Sequence, residues 1–262
     1  MSSNNGIWYS FFDRGNFKGS EPYFYNPADF EWTKHLEANW LDIREELDQL
    51  IRGGDQNMQA YFDKAMVDVA QTWKTIPFFW WGIKFNKYCS QTPKTTALLE
   101  SVPGMLSASF NMLDGNSVIK PHNGDTNAIV RCHLGLHIPA PLPEAGFRVG
   151  KEQKSWEEGK FLIFCDAHEH TAWNNSPNRR YILLMDVMLP KHAAQTSTIQ
   201  SNVIGSLFLQ SAAQKLPFLY KLPMIAQVGL HFFAKNAAKI ALPLWNALDR
   251  MRYKTNKKIN PA

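Results

Sequence analysis

Two histidines and an arginine in the second half of the chain have the types and spacing of a metal site beside an anion site. His122 lies in the turn-rich run PHNGDTN, His170 follows 48 residues later in the run DAHEH, and Arg180 lies ten residues beyond that. Two neutral imidazoles suit a divalent iron ion. A guanidinium holds a carboxylate through paired N–H donors. Together these residues predict binding sites for ferrous iron and for a dicarboxylic keto acid.

A second polar pair lies in the apolar stretch of residues 129–138. Alternate residues of a strand share one face, so Arg131 and His133 point to one side and the apolar residues between them point to the other. If both sides of this strand are covered, the pair lines an interior polar pocket. Alternatively, His133 has no functional role and is a hydrogen-bonded histidine of the core.

The elements that would position these residues are short strands. Between residues 105 and 190, apolar runs such as MLSASFNML and KFLIFC alternate with turn signals such as Asp114-Gly115-Asn116. Several short strands at this spacing indicate an antiparallel barrel or sandwich. We therefore predict a catalytic β core over 105–190, preceded by a helical flanking region over 1–104 that packs on it.

Helical patterns flank the predicted core on both sides. One helix is expected to begin near Asn26-Pro27 and to end at Gly53-Gly54, and a second is expected over about 59–73. Residues 191–262 form a basic amphipathic tail. Its prolines, at 217, 223 and 243, are expected to divide it into short helices.

Charge is distributed unevenly along the 262 residues. The formal net charge is +5, but residues 191–262 hold ten Lys or Arg and one acid, which leaves the first 190 residues at −4 and the tail at +9. Such asymmetry suggests contact with an anionic surface, either membrane or nucleic acid. The tail carries no recognisable RNA- or DNA-binding motif, so nucleic acid is not expected. Membrane-surface contact through residues 200–262 is weighed against packing on the core and against a dimer contact.

Composition bounds the class of protein. A hydrophobic fraction of 45% with 19% charged residues is ordinary for a globular chain. The three cysteines form no CxxC pair, and neither a signal peptide nor a spanning segment is recognised, so a cytoplasmic location is expected. Peripheral contact with the inner face of the membrane stays open as one of the alternatives for the tail.

Three separated motifs resemble the aspartyl/asparaginyl β-hydroxylase family of iron and 2-oxoglutarate oxygenases. They occur in the family's order over roughly residues 75–190: PHNGDTNAIVRCHLGLHIP, SWEEGKFLIFCDAHEHTAWNN and RRYILLMDVMLP. The runs PKTTALLESVPG and NWLDIREEL also look like bacterial members, including lipid A acyl hydroxylases. The resemblance implies a mainly β fold with flanking helices, a double-stranded β-helix (jelly roll, cupin-like) with N-terminal helices and a C-terminal helical tail.

The resemblance also implies roles for individual residues. His122 and His170 would ligate Fe(II) and so form the catalytic centre, and Arg180 would pair with the distal carboxylate of the co-substrate 2-oxoglutarate. Arg131 and His133 would lie beside the carboxylate that chelates iron. The family often has a serine where this chain has Asn111, whose amide can also donate to a carboxylate. O2 would be the oxidant.

The third iron ligand and the substrate stay open at this stage. Gly124 stands where most of the superfamily has a carboxylate, so either water or the neighbouring Asp125 would complete the site. The substrate is a peptidyl or free Asp or Asn, a lipid acyl chain, or another small metabolite. The alternatives to a hydroxylase are a non-catalytic jelly-roll binding module with a degenerate metal site and a halogenase that binds chloride at the open Gly124 position.

Overall fold

The computed structural model describes residues 6–13 and 15–259, without the side chains of 64, 220 and 253–259. The strands within this part are β1 (Phe24–Tyr25), β2 (Gln59–Ala60), β3 (Trp73–Trp80), β4 (Ile83–Lys84), β5 (Met105–Leu113), β6 (Ser117–His122), β7 (Ile129–His137), β8 (Ala145–Val149), β9 (Glu152–Lys154), β10 (Phe161–Phe164), β11 (His170–Asn174) and β12 (Arg180–Met188). The helices are α1 (Ser10–Asp13), α2 (Trp32–Ala38), α3 (Trp40–Ile51), α4 (Asn86–Cys89), α5 (Pro93–Glu100), α6 (Thr196–Lys215) and α7 (Met224–Ile259).

These strands form two antiparallel sheets that face each other. The main sheet has the order β1-β10-β7-β12-β5-β3-β2, with β4 added beside β3, and the smaller sheet has the order β6-β11-β8-β9. This is the predicted fold, a mainly β jelly roll with flanking helices and a helical C-terminus. Neighbours in each sheet come from distant parts of the sequence, so residues of the three motifs meet between the sheets.

Apolar side chains cover both faces of the main sheet, from helices on one face and from the smaller sheet on the other. On β7, the residues Cys132 and Leu134 pack with α3 and α5 in the largest core cluster. On the opposite face, side chains such as Phe164 and Ile182 pack against Phe147 of the smaller sheet. Both faces of β7 are therefore covered, the condition under which the sequence predicts an interior pocket at alternate positions.

The main sheet begins before residue 105, and the segment expected to be a second helix is not one. Residues 59–73 contain strand β2, a 3-10 turn at Lys64–Met66 and the first residue of β3, which pairs with β5. The alternation that marks a strand is obscured in WKTIPFFW by Pro77, where the β3–β5 register shifts. Because proline cannot donate to the ladder, this irregularity follows from the sequence.

The C-terminal tail folds into two long helices rather than several short ones. Pro217 and Pro223 lie between α6 and α7, as predicted, but α7 continues through Pro243. Pro243 is exposed, so the carbonyl group that it leaves unpaired one turn earlier can be hydrated. Among the described helices, none combines the length and apolar character needed to cross a bilayer.

Replacing Asp55 with Asn is expected to destabilise the fold by about 1 kcal/mol at pH 7. Asp55 accepts from Lys74 Nζ at 2.9 Å and from Arg179 Nη1 at 2.8 Å, which ties β3 to the residue before β12. Burial favours a raised pKa for Asp55, but the hydrogen bond from Lys74 and the charge of Arg179 outweigh it, and the net pKa is lowered. A lowered pKa stabilises the fold above the unfolded-state pKa and loses that contribution as pH falls below about 4.

Urea unfolding at pH 7 and at pH 3 measures this difference. The control is Asp29→Asn, which changes an exposed acid that forms no ion pair within the described residues. Equal losses for the two variants at pH 7, or an Asp55→Asn effect that persists at pH 3, would contradict the prediction.

Candidate active site

The two histidines of the predicted metal site lie side by side at the edge of the smaller sheet. His122 ends β6 and His170 begins β11, and the two residues are direct partners in the ladder. Their ring centroids are 4.2 Å apart. Between this pair and the pair Ile119–Ala172, β6 has one residue more than β11, and Pro121 lies in that bulge. A bulge bends a strand and re-aims its side chains, which brings the two imidazoles together here.

Hydrogen bonding fixes which ring nitrogen each histidine offers. Nδ1 of His122 lies 2.8 Å from the carbonyl oxygen of Lys120, and Nδ1 of His170 lies 2.8 Å from the carbonyl oxygen of His168. A carbonyl only accepts, so each Nδ1 carries the proton and each Nε2 presents a lone pair. Burial lowers the pKa of both imidazoles, well below the ordinary range for His170, which keeps the rings neutral as metal ligation requires.

Arg180, the first residue of β12, is a buried cation without an acidic partner in the part of the chain that the structure describes. Its side chain is 1% exposed, its Nε atom finds no hydrogen-bond acceptor among the described residues, and its guanidinium lies 4.6 Å from the ring centre of Trp156. Burial lowers the pKa of Arg180 to about 9. An uncompensated buried charge is costly, so this arginine indicates a site for an anion that arrives from outside.

Arg131 is held between two carboxylates. Its Nε and Nη2 atoms donate to Asp186 at 2.7 and 3.1 Å, and its Nη1 atom lies 2.7 Å from Oδ1 of Asp166. The two acids raise the pKa of Arg131 despite its burial, so the guanidinium stays charged. Arg131 therefore orients Asp166 rather than offering an open fork to a ligand.

The carboxylate of Asp166 fills the space beside Gly124. A Cβ atom at residue 124 would overlap that carboxylate, and the Gly124 N–H donates to the Asp166 carbonyl at 2.7 Å. The backbone of Gly124 does not lie in the left-handed region, so space rather than conformation demands glycine. Oδ1 of Asp166 is 3.6 Å from Nε2 of His170. The acid nearest to the histidine pair thus comes from the turn before β11, not from residue 124.

The remaining predicted residues differ in what they can offer. His133 Nδ1 accepts from Trp156 Nε1 at 3.1 Å, which leaves the His133 Nε2–H as a donor toward the cavity. The Asn111 amide is already used, because it accepts from Trp73 Nε1 at 2.9 Å and donates to the Ser109 hydroxyl at 2.8 Å.

One cleft between the sheets brings the six predicted site residues together. It encloses about 380 Å³ of empty space, including its open mouth, and has a largely apolar wall. Its polar lining consists of Asn111, His122, Arg131, His133, His170 and Arg180. In the described residues, no group of three or more His, Cys, Asp or Glu side chains could hold a metal ion by itself. The donor set fits a metal that takes two histidines and completes its shell with other ligands.

Two acids of the site were not predicted from the sequence, and a third, Asp125, was one of two options for completing the metal site. Neither Asp166 nor Asp186 is among the site residues predicted from the sequence, although a lone acid within the apolar strand RYILLMDVM is a signal. Burial and the charge of Asp166 raise the pKa of Asp125 to about 7. Its reach toward the metal stays a prediction, as do the roles of the six residues above.

Comparisons with known proteins agree with the motifs. The family profile of aspartyl/asparaginyl beta-hydroxylase matches residues 37–190. An ornithine lipid ester-linked acyl 2-hydroxylase of Rhizobium tropici is 32% identical over 178 residues, which cover 66% of this chain and 63% of that protein. The aspartyl/asparaginyl beta-hydroxylase of Homo sapiens is 32% identical over 177 residues, which cover 63% of this chain and 22% of that protein.

The match to each of these two relatives therefore spans less than two thirds of the relative's length. Among solved structures, a predicted oxalate decarboxylase of Thermotoga maritima covers 51% of this chain and 93% of its own, with 9% identity and a TM-score of 0.34. The family profile covers more than half of the 262 residues and spans both histidines and Arg180. This chain belongs to the aspartyl/asparaginyl β-hydroxylase family.

Proposed function

We propose that the protein is a hydroxylase that uses ferrous iron, 2-oxoglutarate and O2 to insert oxygen into an unactivated C–H bond. The observation that carries the proposal is the cleft in which two imidazoles with free Nε2 atoms and an unpaired buried guanidinium meet. Neutral nitrogen ligands suit ferrous iron, and an unpaired arginine suits a carboxylate. Family membership supports the same chemistry.

The residues of the cleft would bind and orient the co-substrate. His122 and His170 would hold the metal, Arg180 would pair with the distal carboxylate of 2-oxoglutarate, and the His133 Nε2–H would donate to an oxygen of the bound acid. Apolar side chains of the wall, such as Phe164, would exclude water. When bound, iron and 2-oxoglutarate would supply O2 activation, with the keto acid converted to succinate and carbon dioxide as one oxygen atom enters the substrate.

Asp166 would place a carboxylate beside the metal, where it can accept hydrogen bonds from groups bound there. Its Oδ1 atom lies 3.6 Å from Nε2 of His170 and 2.7 Å from Nη1 of Arg131, and Asp186 holds Arg131 from the other side. The position beside Gly124 is where a halogenase would bind chloride. Because a carboxylate occupies that space, a second anion there would meet both overlap and repulsion, and this disfavours halogenation.

We propose a lipid acyl chain as the first substrate candidate and an Asp or Asn side chain as the second. The relative from Rhizobium tropici is named as an acyl hydroxylase, and aromatic side chains lie at the cleft, where Tyr61 stacks on Trp73 at 3.6 Å and adjoins the exposed Phe62. The second candidate takes its support from the human relative's name.

The test is turnover by purified protein with ferrous iron and 2-oxoglutarate. Acyl lipids and Asp- or Asn-containing peptides are supplied in parallel, succinate is quantified, and mass spectrometry detects the gain of one oxygen atom. Oxygen in the lipid but not in the peptide supports the first candidate, and the reverse supports the second. If the protein binds metal and 2-oxoglutarate but forms no succinate with either substrate class, it is a binding module and the enzyme proposal is refuted.

Replacing His170 with Ala is expected to weaken ferrous-iron binding at least a hundredfold and to abolish turnover. In this proposal His170 would supply one of two imidazole ligands, and its loss would leave His122 as the single imidazole at the metal. Iron binding is measured anaerobically by equilibrium dialysis, so the readout does not depend on finding the substrate.

The matched control is His35→Ala, which removes an exposed histidine of α2. This variant should bind iron as the wild type does. Equal iron affinity for His170→Ala and wild type would show that the metal binds elsewhere and would remove the basis of the proposed function.

A further inference from the structure

Exposed apolar side chains are concentrated on the C-terminal hairpin, defined here as α6, α7 and the turn between them. Of the seventeen large hydrophobic residues that are exposed in the described part of the chain, thirteen lie between residues 208 and 251. Scattered exposed apolar residues need no explanation, but a contiguous set marks a surface that binds something apolar. The hairpin is such a surface.

Helix α7 has two apolar faces, and only one of them is covered. His231 and Ala238 are buried against α6 and the body of the protein. On the opposite side, Phe233, Ile240, Leu244 and Met251 form an outer stripe. Their spacing of seven, four and seven residues places them on one helical face. Phe233 is 72% exposed and Ile240 is 70% exposed, so this stripe contacts solvent in the isolated chain.

The sequence of the C-terminal segment that carries the stripe is strongly basic. Residues 191–262 contain ten Lys or Arg and a single acid, Asp249. That acid is already used, because its Oδ2 accepts from Asn86 Nδ2 at 2.6 Å. Lys239 and Arg250 lie on α7 beside the stripe and are exposed. A partner that complements this surface therefore has negative charges at its outer surface and an apolar layer below them.

We propose that the hairpin docks the protein on an anionic lipid bilayer, with the outer stripe in the interface and the basic side chains at the headgroups. An interfacial helix combines an apolar face with Lys and Arg in this way. A second copy of this chain is disfavoured as the occupant, because pairing two such hairpins would bring like charges together with no free acid from this region to offset them.

The hairpin connects through short contacts to the loop that follows His122. Phe11 stacks on His231 of α7 at 4.9 Å, and the Ser10 N–H donates to the Asp125 carbonyl at 3.0 Å. Tyr9 forms a β-bridge with Thr126 in the same loop. A docked hairpin would thus hold the loop beside the metal site next to the bilayer surface. If the proposed function holds, this arrangement would present the cleft to a substrate that resides in the membrane.

The test is co-sedimentation of the full-length protein with vesicles of phosphatidylglycerol and phosphatidylcholine, compared with phosphatidylcholine alone. The wild type is expected to sediment with anionic vesicles, with partitioning reduced at least tenfold on neutral vesicles or in high salt. The triple variant Phe233→Ser, Ile240→Ser, Leu244→Ser is expected to lose at least tenfold in partitioning. The control, Leu41→Ser with Val69→Ser, removes exposed apolar groups outside the hairpin and should bind as the wild type does.

Two outcomes would overturn the docking proposal. One is wild-type protein that stays in the supernatant with anionic vesicles. This outcome includes two cases: the protein sediments only after nucleic acid is added, or the wild type elutes as a dimer while the triple variant elutes as a monomer. The other is a triple variant that partitions like the wild type. Because His170→Ala should bind vesicles normally, failure of the proposed chemistry and failure of docking are separately visible.

Discussion

Arg180→Met is expected to stabilise the ligand-free protein while raising the 2-oxoglutarate requirement at least a hundredfold. In the wild type no acid among the described residues pairs with the buried guanidinium, and the contact with Trp156 offsets only part of its desolvation. Replacing such a charge with an apolar side chain of similar length should raise the free energy of unfolding by about 1–3 kcal/mol. The same change removes the donors for the distal carboxylate, a loss of about 3–5 kcal/mol in binding.

The pH dependence of this stabilisation has a definite sign. Burial lowers the pKa of Arg180 to about 9, so above that pH the folded state binds fewer protons than the unfolded state. The destabilising effect of the charge is therefore fully present at pH 7 and is relieved only as pH rises above about 9. The stability advantage of Arg180→Met should be constant between pH 6 and 8 and should shrink at higher pH.

Chemical unfolding without ligand and binding of 2-oxoglutarate to the iron-loaded protein, measured by calorimetry, provide the two readouts. The control is Arg179→Met, which changes the preceding, partly exposed arginine that pairs with Asp55 and Asp114. This control should lose a little stability and retain 2-oxoglutarate binding. An Arg180→Met protein that is less stable and binds 2-oxoglutarate normally would show that the arginine is structural.

The strands that carry the motifs were predictable from the sequence because their pattern is local. Alternation in β7 placed Arg131 and His133 opposite an apolar face, and both faces of β7 are covered in the structure. The fold class followed from strand spacing together with the family resemblance. Strand β3 was missed because Pro77 interrupts the alternation that would have identified it.

The acids of the site were not predictable in the same way, because their roles depend on contacts between distant segments. Asp166 is 35 residues from Arg131 and 42 from Gly124, and nothing local indicates that its carboxylate reaches both. Asp125 was considered, as the alternative to water, for the opposite reason, since it adjoins Gly124 in the chain. The bulge at Pro121, which sets the direction of His122, is likewise a property of strand pairing.

Helix α7 was predicted to break at Pro243 because a proline inside a helix removes one hydrogen bond and crowds the preceding turn. The cost of that loss depends on whether water can reach the freed carbonyl group, which a sequence does not reveal. At an exposed position such as Pro243, water can hydrogen-bond to the freed carbonyl group, and the remaining helical hydrogen bonds of α7 are retained.

The carboxylate that we propose beside the metal should be transferable from residue 166 to residue 124. Gly124→Ala alone places a methyl group where the Asp166 carboxylate lies, and is expected to weaken iron binding at least a hundredfold as that carboxylate is displaced. Asp166→Gly alone empties the space and leaves Arg131 Nη1 without its acid. The double variant Gly124→Asp, Asp166→Gly refills the space with a carboxylate from the other turn, and should recover iron affinity to within about tenfold of wild type, because a buried charge is costly only when its partner is absent.

Iron affinity by anaerobic dialysis, and the rise in melting temperature on adding iron, distinguish recovery of the site from recovery of the fold. The matched control is Gly124→Asn with Asp166→Gly, which restores the volume but not the charge. If the carboxylate matters through its charge, this control should remain as weak as Asp166→Gly. Wild-type iron affinity in Gly124→Ala would show that the overlap is absorbed elsewhere, and equal affinities for the Asp and Asn double variants would show that only the filled volume matters.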